Sequence, residues 1–174
     1  TSLDVRLVAD SNSNLKDAIS KLAGLNISRI AIFDSKQHVT TQKLFSALKN
    51  SLAENNLDLP IVSGARSHFT ELNREQVQIV PGATQITFAT TPLFHSQTDA
   101  QFYESVAMQR LIAEQAVEIA NGKPVHIGPI CLRPRFNNVA TAQQPSPTRS
   151  DLSQGYGAQF TSANDYRQTC GSSL

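Results

Sequence analysis

The sequence contains little that would place it among disulfide-rich or metal-binding proteins. Its 174 residues include only two cysteines, Cys131 and Cys170, and neither lies in a CxxC pair or in a Cys/His cluster at ligand spacing. A disulfide framework and a structural zinc site are therefore not indicated. We expect no metal and no cofactor. A reducing compartment, the cytoplasm, fits this cysteine usage best, although a longer precursor could have lost a leader.

Long apolar runs and an excess of charge are also missing. No stretch approaches the roughly 20 apolar residues that cross a bilayer, and the opening TSLDVRLVAD lacks the basic start and apolar core of a signal peptide. Fifteen Lys and Arg against fourteen Asp and Glu give a net charge of +1, and no basic face stands out. We therefore expect neither nucleic acid nor a membrane as a partner.

Several catalytic signatures are absent as well. The sequence has no GxGxxG, no Walker A loop, no GxSxG elbow and no HExxH. Interpretations as a nucleotide-binding protein, a P-loop protein, a serine hydrolase or a zincin lose their usual support.

What is present is an alternation of apolar runs with amphipathic segments. Helical spacing of leucines marks TTQKLFSALKNSLAENN, whereas the linker between Gly64 and Gln85 has room for only a turn or two of helix in TELNREQV. Strands separated by helices predict parallel βα units, with ligands at the C-terminal ends of the strands. The five predicted strands are LDVRLVAD (3–10), ISRIAIFD (27–34), LPIVSG (59–64), QITFAT (85–90) and KPVHIGPICL (123–132).

The composition changes after Ala142. Residues 143–174 are rich in Ser, Gln, Pro, Gly and Thr and show almost no apolar periodicity, so this segment alone buries little surface. We predict an α/β domain with about five parallel strands over 1–142 and a long loop or tail over 143–174. A long loop with no closing element after it suggests a piece of a larger protein.

Polar residues gather where the predicted strands end. Asp34, after the second strand, has the ordinary explanation of helix capping. The loop after the third strand, SGARSHFTELNRE, is denser. Its functional interpretation has His68, Glu71 and Asn73 facing a ligand, with Glu71 as an acid or base. The alternative is an ordinary solvated loop.

The fourth and fifth strands end in two further candidates. His95 follows QITFAT by five residues and is either catalytic or structural. Arg133 and Arg135 alternate with apolar residues, so an extended backbone would point both guanidinium groups to one side, suited to a carboxylate or to sugar hydroxyls. The alternative role for both arginines is structural ion pairing. Asn137 follows them.

Three pieces of the sequence together resemble a known family. LRPRFNNVAT (132–141), ELNR (71–74) and a strand followed by P-x-x-H (92–95) are similar to the barrel domain of D-apionate lactonase and its relatives. The resemblance implies part of a (β/α)8 TIM-type barrel with five of its eight strands. It also implies hydrolysis of a sugar-acid lactone or a related carbohydrate at the C-terminal face of the barrel.

Under this resemblance the candidate residues take roles. Glu71 and His95 are the acid and base candidates. The two arginines orient the oxygens of the substrate or stabilise an oxyanion. Further substrate-binding candidates are His68, Asn73 and Asn137.

Two alternatives stay open. One is a non-catalytic carbohydrate or small-ligand binding module built on an open flavodoxin-like or Rossmann-like sheet, which a reversal of strand order would reveal. The other is an interaction fragment, because an open half-barrel leaves unpaired strand edges that would join a second copy or missing flanking segments.

Overall fold

The structure is a computed structural model that describes residues 2–10, 13–91 and 99–130. The chain divides into two compact units, one formed by Thr1–Thr90 with Leu111–Ile130 and the other by Thr91–Arg110 with Cys131–Leu174. All five strands belong to the first unit. The predicted boundary at 142 and the predicted tail over 143–174 lie outside the described residues.

Every predicted strand is present, and helices separate them. The short helix expected in TELNREQV is present and is followed by a single 3-10 turn. The elements run β1 (Leu3–Ala9), α1 (Leu15–Ser20), β2 (Ile27–Asp34), α2 (Gln42–Glu54), β3 (Ile61–Gly64), α3 (Phe69–Arg74), the 3-10 turn (Gln76–Gln78), β4 (Gln85–Thr90), α4 (Asp99–Ala120) and β5 (Val125–Ile130).

Polar side chains define where the first two helices begin. The Asn14 side chain accepts a hydrogen bond from the Asp17 N–H at 3.1 Å before α1. The Thr41 hydroxyl accepts one from the Leu44 N–H at 3.3 Å before α2. Each cap satisfies a backbone donor that has no partner inside the helix.

The five strands form one parallel sheet in the order β1-β2-β3-β4-β5. Each strand therefore lies beside the one that precedes it in the chain. A doubly wound open sheet requires a reversal of that order, whereas a TIM barrel has this sequential order. The open-sheet alternative is not what the structure contains. The fold class is α/β, and the sheet is part of a TIM-type barrel.

Contacts between the first strands and the last show that the sheet curls. The Arg6 guanidinium on β1 donates to the Gly128 carbonyl on β5, and the Arg29 guanidinium on β2 contacts Nδ1 of His126 on β5. In a flat sheet β1 and β5 would be four strand spacings apart, about 19 Å, which is beyond the reach of an arginine side chain. The side of the sheet that carries these contacts is therefore concave, and we call it the inner face.

The outer face carries the apolar core between sheet and helices. Alternate residues of β1 and β2 pack against α1 and α2, and those of β4 pack against α3 and the second half of α4. Phe88 also meets the Phe69 ring edge-on, with centroids 5.6 Å apart. The buried outer-face residues include Ile30, Ile32, Leu48, Leu52, Ile61, Ile86, Phe88 and Ala116.

Gly64 allows β3 and β4 to approach closely at the C-terminal edge. Its φ is +139°, and a Cβ built there would lie 2.0 Å from the Thr87 carbonyl oxygen. Any side chain would collide with backbone that cannot move away, so the position requires glycine.

No helix in the described part of the chain combines the length and the apolar character needed to span a membrane.

Candidate functional site

The loops that follow β2 and β3 are joined at the C-terminal edge of the sheet. The Thr40 N–H donates to the Gly64 carbonyl and the Arg66 N–H to the His38 carbonyl, each at 2.9 Å. Val39 and Ala65 form an antiparallel bridge between these two bonds. The backbone thereby holds the residues after β2 against the residues after β3. Ligand sites of parallel α/β sheets lie at this edge.

A tight turn after β2 places His38 at this edge. The Asp34 carboxylate accepts hydrogen bonds from the Lys36 and Gln37 N–H groups, both at 2.8 Å, and the His38 N–H donates to the Asp34 carbonyl at 3.0 Å. Asp34 therefore organises a turn, whereas its sequence position suggests a helix cap. His38 has a φ of +62°, which is uncommon for a residue with a side chain. These hydrogen bonds hold it there.

The side chains of His38 and Arg66 form a direct pair. Nε of Arg66 donates to Nδ1 of His38 at 3.0 Å. Because an arginine nitrogen can only donate, Nδ1 must carry the lone pair, so the neutral imidazole has its proton on Nε2. Burial lowers the pKa of His38, and the Arg66 charge lowers it further, against the weaker opposing effects of Glu71 and Asp34. The pair therefore combines a neutral imidazole N–H donor with a permanent positive charge.

Glu71 is fixed by two hydrogen bonds next to this pair. Its Oε2 atom accepts from the Ser67 hydroxyl at 2.9 Å and from the His68 N–H at 3.2 Å. Glu71 and Ser67 are both buried. The Ser67 carbonyl accepts from the Ala89 N–H on β4 at 2.7 Å, which ties this loop to the next strand. The carboxylate thus caps the first turn of α3 from a fixed position.

The structure places the other predicted residues differently. His68 is half-buried at the start of α3, next to Glu71 in the same loop. Asn73 is exposed further along α3, and its carbonyl accepts from the Gln76 side chain at 3.0 Å. The structure therefore brings Glu71 and His68 together and leaves Asn73 at the surface. The predicted residues His95, Arg133, Arg135 and Asn137 lie outside the described residues.

The sequence interpretation missed His38 and did not select Arg66. Nothing in the sequence shows that DSKQH bends into a turn with a left-handed residue at its end. The available signal was weak: a histidine four residues beyond a strand-ending aspartate, and an arginine two residues beyond the next strand. Their pairing depends on strand adjacency, which periodicity alone does not establish.

Within 2–10, 13–91 and 99–130, no group of three or more His, Cys, Asp or Glu side chains is arranged to hold a metal ion.

A parallel sheet in sequential order, with polar side chains at its C-terminal edge, defines the class as a partial TIM barrel of α/β type. The chain belongs to the family described as D-apionate lactonase, TIM barrel domain, whose model matches residues 4–169. The resemblance carried by LRPRFNNVAT, ELNR and P-x-x-H is confirmed at the level of the family.

No curated protein matches the chain. Among solved structures, malate dehydrogenase from Archaeoglobus fulgidus in complex with NADH shares 17% sequence identity, with a TM-score of 0.29 over 72% of this chain. The chain spans 40% of the length of that enzyme. A similarity at that level supports no conclusion about fold or function.

Proposed function

We propose that this chain takes part in hydrolysing a sugar-acid lactone or a related carbohydrate at the C-terminal face of its sheet. The observation that carries the proposal is the match of residues 4–169 to the D-apionate lactonase TIM barrel domain. The polar side chains that follow β2 and β3, namely His38, Arg66 and Glu71, support this location of the site. In TIM-barrel enzymes the substrate reacts at the loops that follow the C-terminal ends of the strands.

Lactone hydrolysis sets defined requirements. The oxygen of a water molecule bonds to the carbonyl carbon while a base takes a proton from that water. The carbonyl oxygen then carries negative charge until the ring C–O bond breaks, and the departing ring oxygen takes up a proton. Such a reaction needs a base, an acid and fixed donors for the oxyanion.

The pair of His38 and Arg66 suits the donor requirement. A neutral imidazole with its proton on Nε2, held by a guanidinium at 3.0 Å, can present an N–H to an oxyanion without losing its proton. The nearby Arg66 charge favours a developing negative charge. In this proposal the two residues bind the lactone carbonyl or a neighbouring oxygen of the sugar acid.

The predicted residues keep their roles within the proposal. Glu71 and His95 are the acid and base candidates, and the hydrogen bonds from Ser67 and His68 support Glu71 by fixing its orientation. The proposed substrate contacts are His68, Asn73, Arg133, Arg135 and Asn137.

A panel of sugar-acid lactones tests the proposal. Acid release is followed in a pH-stat, and binding of the same lactones is followed by calorimetry. We expect at least one lactone to be opened to its hydroxy acid faster than in buffer alone. Binding of these lactones with no acid release would instead favour the non-catalytic binding module, and neither binding nor release would remove the lactone assignment.

A further inference from the structure

Charged and polar side chains from four strands gather on the inner face toward the N-terminal ends of the strands. Outer-face packing by Ile86 and Phe88 places Gln85 on the inner face of β4, since successive residues of a strand point to opposite sides. We call this group the inner-face cluster. It comprises Asp4, Arg6, Arg29, Gln85 and His126.

The inner-face cluster has more positive than negative charge. The Asp4 carboxylate lies 3.3 Å from Nε of Arg6 and 3.9 Å from a terminal nitrogen of Arg29, so one carboxylate serves two guanidinium groups. Burial lowers the pKa of His126, and the Arg29 charge lowers it further, which keeps this imidazole neutral near pH 7. The cluster therefore carries a net charge of about +1 that no cluster residue balances.

Three polar atoms of the cluster are buried and lack a hydrogen-bond partner within the described residues: Nε of Arg29, Nε2 of His126 and Oε1 of Gln85. The Arg29 guanidinium contacts Nδ1 of His126, so the His126 proton must be on Nε2. Two buried donors thus lack an acceptor, at a cost of about 1–3 kcal/mol each if they remain unsatisfied.

Gln85 can supply a third donor. Amide oxygen and nitrogen are nearly the same size, and a half-turn of the Gln85 side chain exchanges them. That half-turn puts an N–H group where the unpartnered oxygen stands. A ligand that accepts three hydrogen bonds and carries negative charge would then satisfy these three buried positions.

We propose that the inner-face cluster binds a small oxyanion, a phosphate or a carboxylate. The charged side chains of the cluster are between 20% and 35% exposed, so the cluster borders solvent. The site is separate from the proposed reaction, because it lies toward the opposite ends of the strands from His38 and Arg66. It stands whether or not the chain opens a lactone.

Thermal unfolding of the 174-residue chain tests the proposal at pH 7. Sodium phosphate is compared with sodium chloride at equal ionic strength, and calorimetry gives the dissociation constant. Phosphate at 100 times that constant should raise the unfolding midpoint by about 5 °C more than chloride does. A separate titration with malonate distinguishes a carboxylate ligand from a phosphate ligand.

Two variants locate the ion. Gln85→Glu has almost the same shape and supplies the missing negative charge, so it should raise the midpoint without phosphate and weaken phosphate binding about tenfold or more. Arg29→Lys keeps the charge but loses Nε–H, so it should also weaken binding. Gln42→Glu, which makes the same charge change on the exposed part of α2, is the control and should bind phosphate as the unmodified chain does.

Equal midpoints in phosphate, malonate and chloride would overturn the proposal. So would phosphate binding that is unaltered in both Gln85→Glu and Arg29→Lys, because the ion would then bind elsewhere.

Discussion

The two polar regions of the sheet differ in how their members are connected. At the C-terminal edge, His38, Arg66 and Glu71 are held by hydrogen bonds between loops of adjacent strands. In the inner-face cluster, Arg6 and Arg29 reach across the curled sheet to β5, about a hundred residues away in the chain. The first region depends on local turns, and the second depends on the curl of the whole sheet.

This difference separates the consequences expected of mutation. Substituting the residues that link the first two strands to β5 should lower the free energy of unfolding, because their contacts form only when strands distant in the sequence come together. Residues at the C-terminal edge that are not buried in the core should affect binding and turnover with less effect on stability. The position of the two regions at opposite ends of the strands agrees with the general division of TIM barrels into a catalytic face and a stabilising face.

The largest effect is expected at Gly64, where the C-terminal edge depends on close packing of β3 and β4. Gly64→Ala places a Cβ 2.0 Å from the Thr87 carbonyl oxygen at a φ of +139°. Urea unfolding should show a loss of about 3 kcal/mol or more, or the chain should not fold. Gly24→Ala is the control: φ is +80° but nothing lies within 4 Å, so its loss should be only about 1 kcal/mol. Equal losses would contradict the close approach.

The next largest loss of stability is expected when a contact across the curled sheet is removed. Arg6→Met keeps most of the side-chain length but removes the bonds to the Gly128 carbonyl and the Asp4 carboxylate. We expect the free energy of unfolding to fall by about 1–2 kcal/mol, since the side chain is only partly exposed. Arg74→Met, on an exposed position of α3, should change it by less than about 0.5 kcal/mol. An unchanged free energy of unfolding in Arg6→Met would show that the curled sheet does not depend on this contact.

A smaller effect is expected from the bond that fixes Glu71. Ser67→Ala removes the buried hydroxyl that donates to Oε2 at 2.9 Å, while the His68 N–H remains. The loss should be about 1 kcal/mol in urea unfolding. Ser46→Ala on the exposed side of α2 provides the comparison and should be close to neutral. If Ser67→Ala lost no more stability than Ser46→Ala, the hydrogen bond from Ser67 would not be needed to hold the Glu71 carboxylate.

The smallest effect is a pH dependence shared by both regions. His38 and His126 each have a pKa lowered by burial in the folded chain, relative to a usual value of 6.5. The unfolded chain therefore binds more protons than the folded chain. The free energy of unfolding should have its full value above about pH 6.5 and should fall as pH drops below it. Urea midpoints between pH 5 and 8 should show this slope. His126→Asn should reduce it, and an unchanged slope in that variant would assign the effect elsewhere.

Local sequence patterns are sufficient to predict the strands and helices. The apolar run ISRIAIFD becomes β2 because its alternate residues Ile30 and Ile32 pack against the helices. TELNREQV forms α3 and a 3-10 turn because the linker is too short for more. The family was also accessible, because LRPRFNNVAT and ELNR are specific pieces.

The curl and half of the candidate site could not be predicted in this way. Arg6 and Gly128 are 122 positions apart, and no periodicity relates them. His38 depends on a left-handed turn stabilised by Asp34, for which a helix cap was the simpler interpretation. The chemistry of a carboxylate near a strand end is enough to indicate Glu71 from the sequence, and the structure adds that this carboxylate also caps α3. The roles of Glu71, His68 and Asn73 stay predictions, as do those of His95, Arg133, Arg135 and Asn137.

The most direct test of the proposed site compares two arginines eight residues apart. Arg66→Lys replaces the Nε donor to His38 with a point charge, whereas Arg74→Lys makes the same exchange on the exposed surface of α3. With a lactone that the unmodified chain hydrolyses, kcat/KM should fall about tenfold or more in Arg66→Lys and by less than about twofold in Arg74→Lys, at equal urea midpoints. Equal kcat/KM values in the two variants would contradict a catalytic edge built on His38 and Arg66.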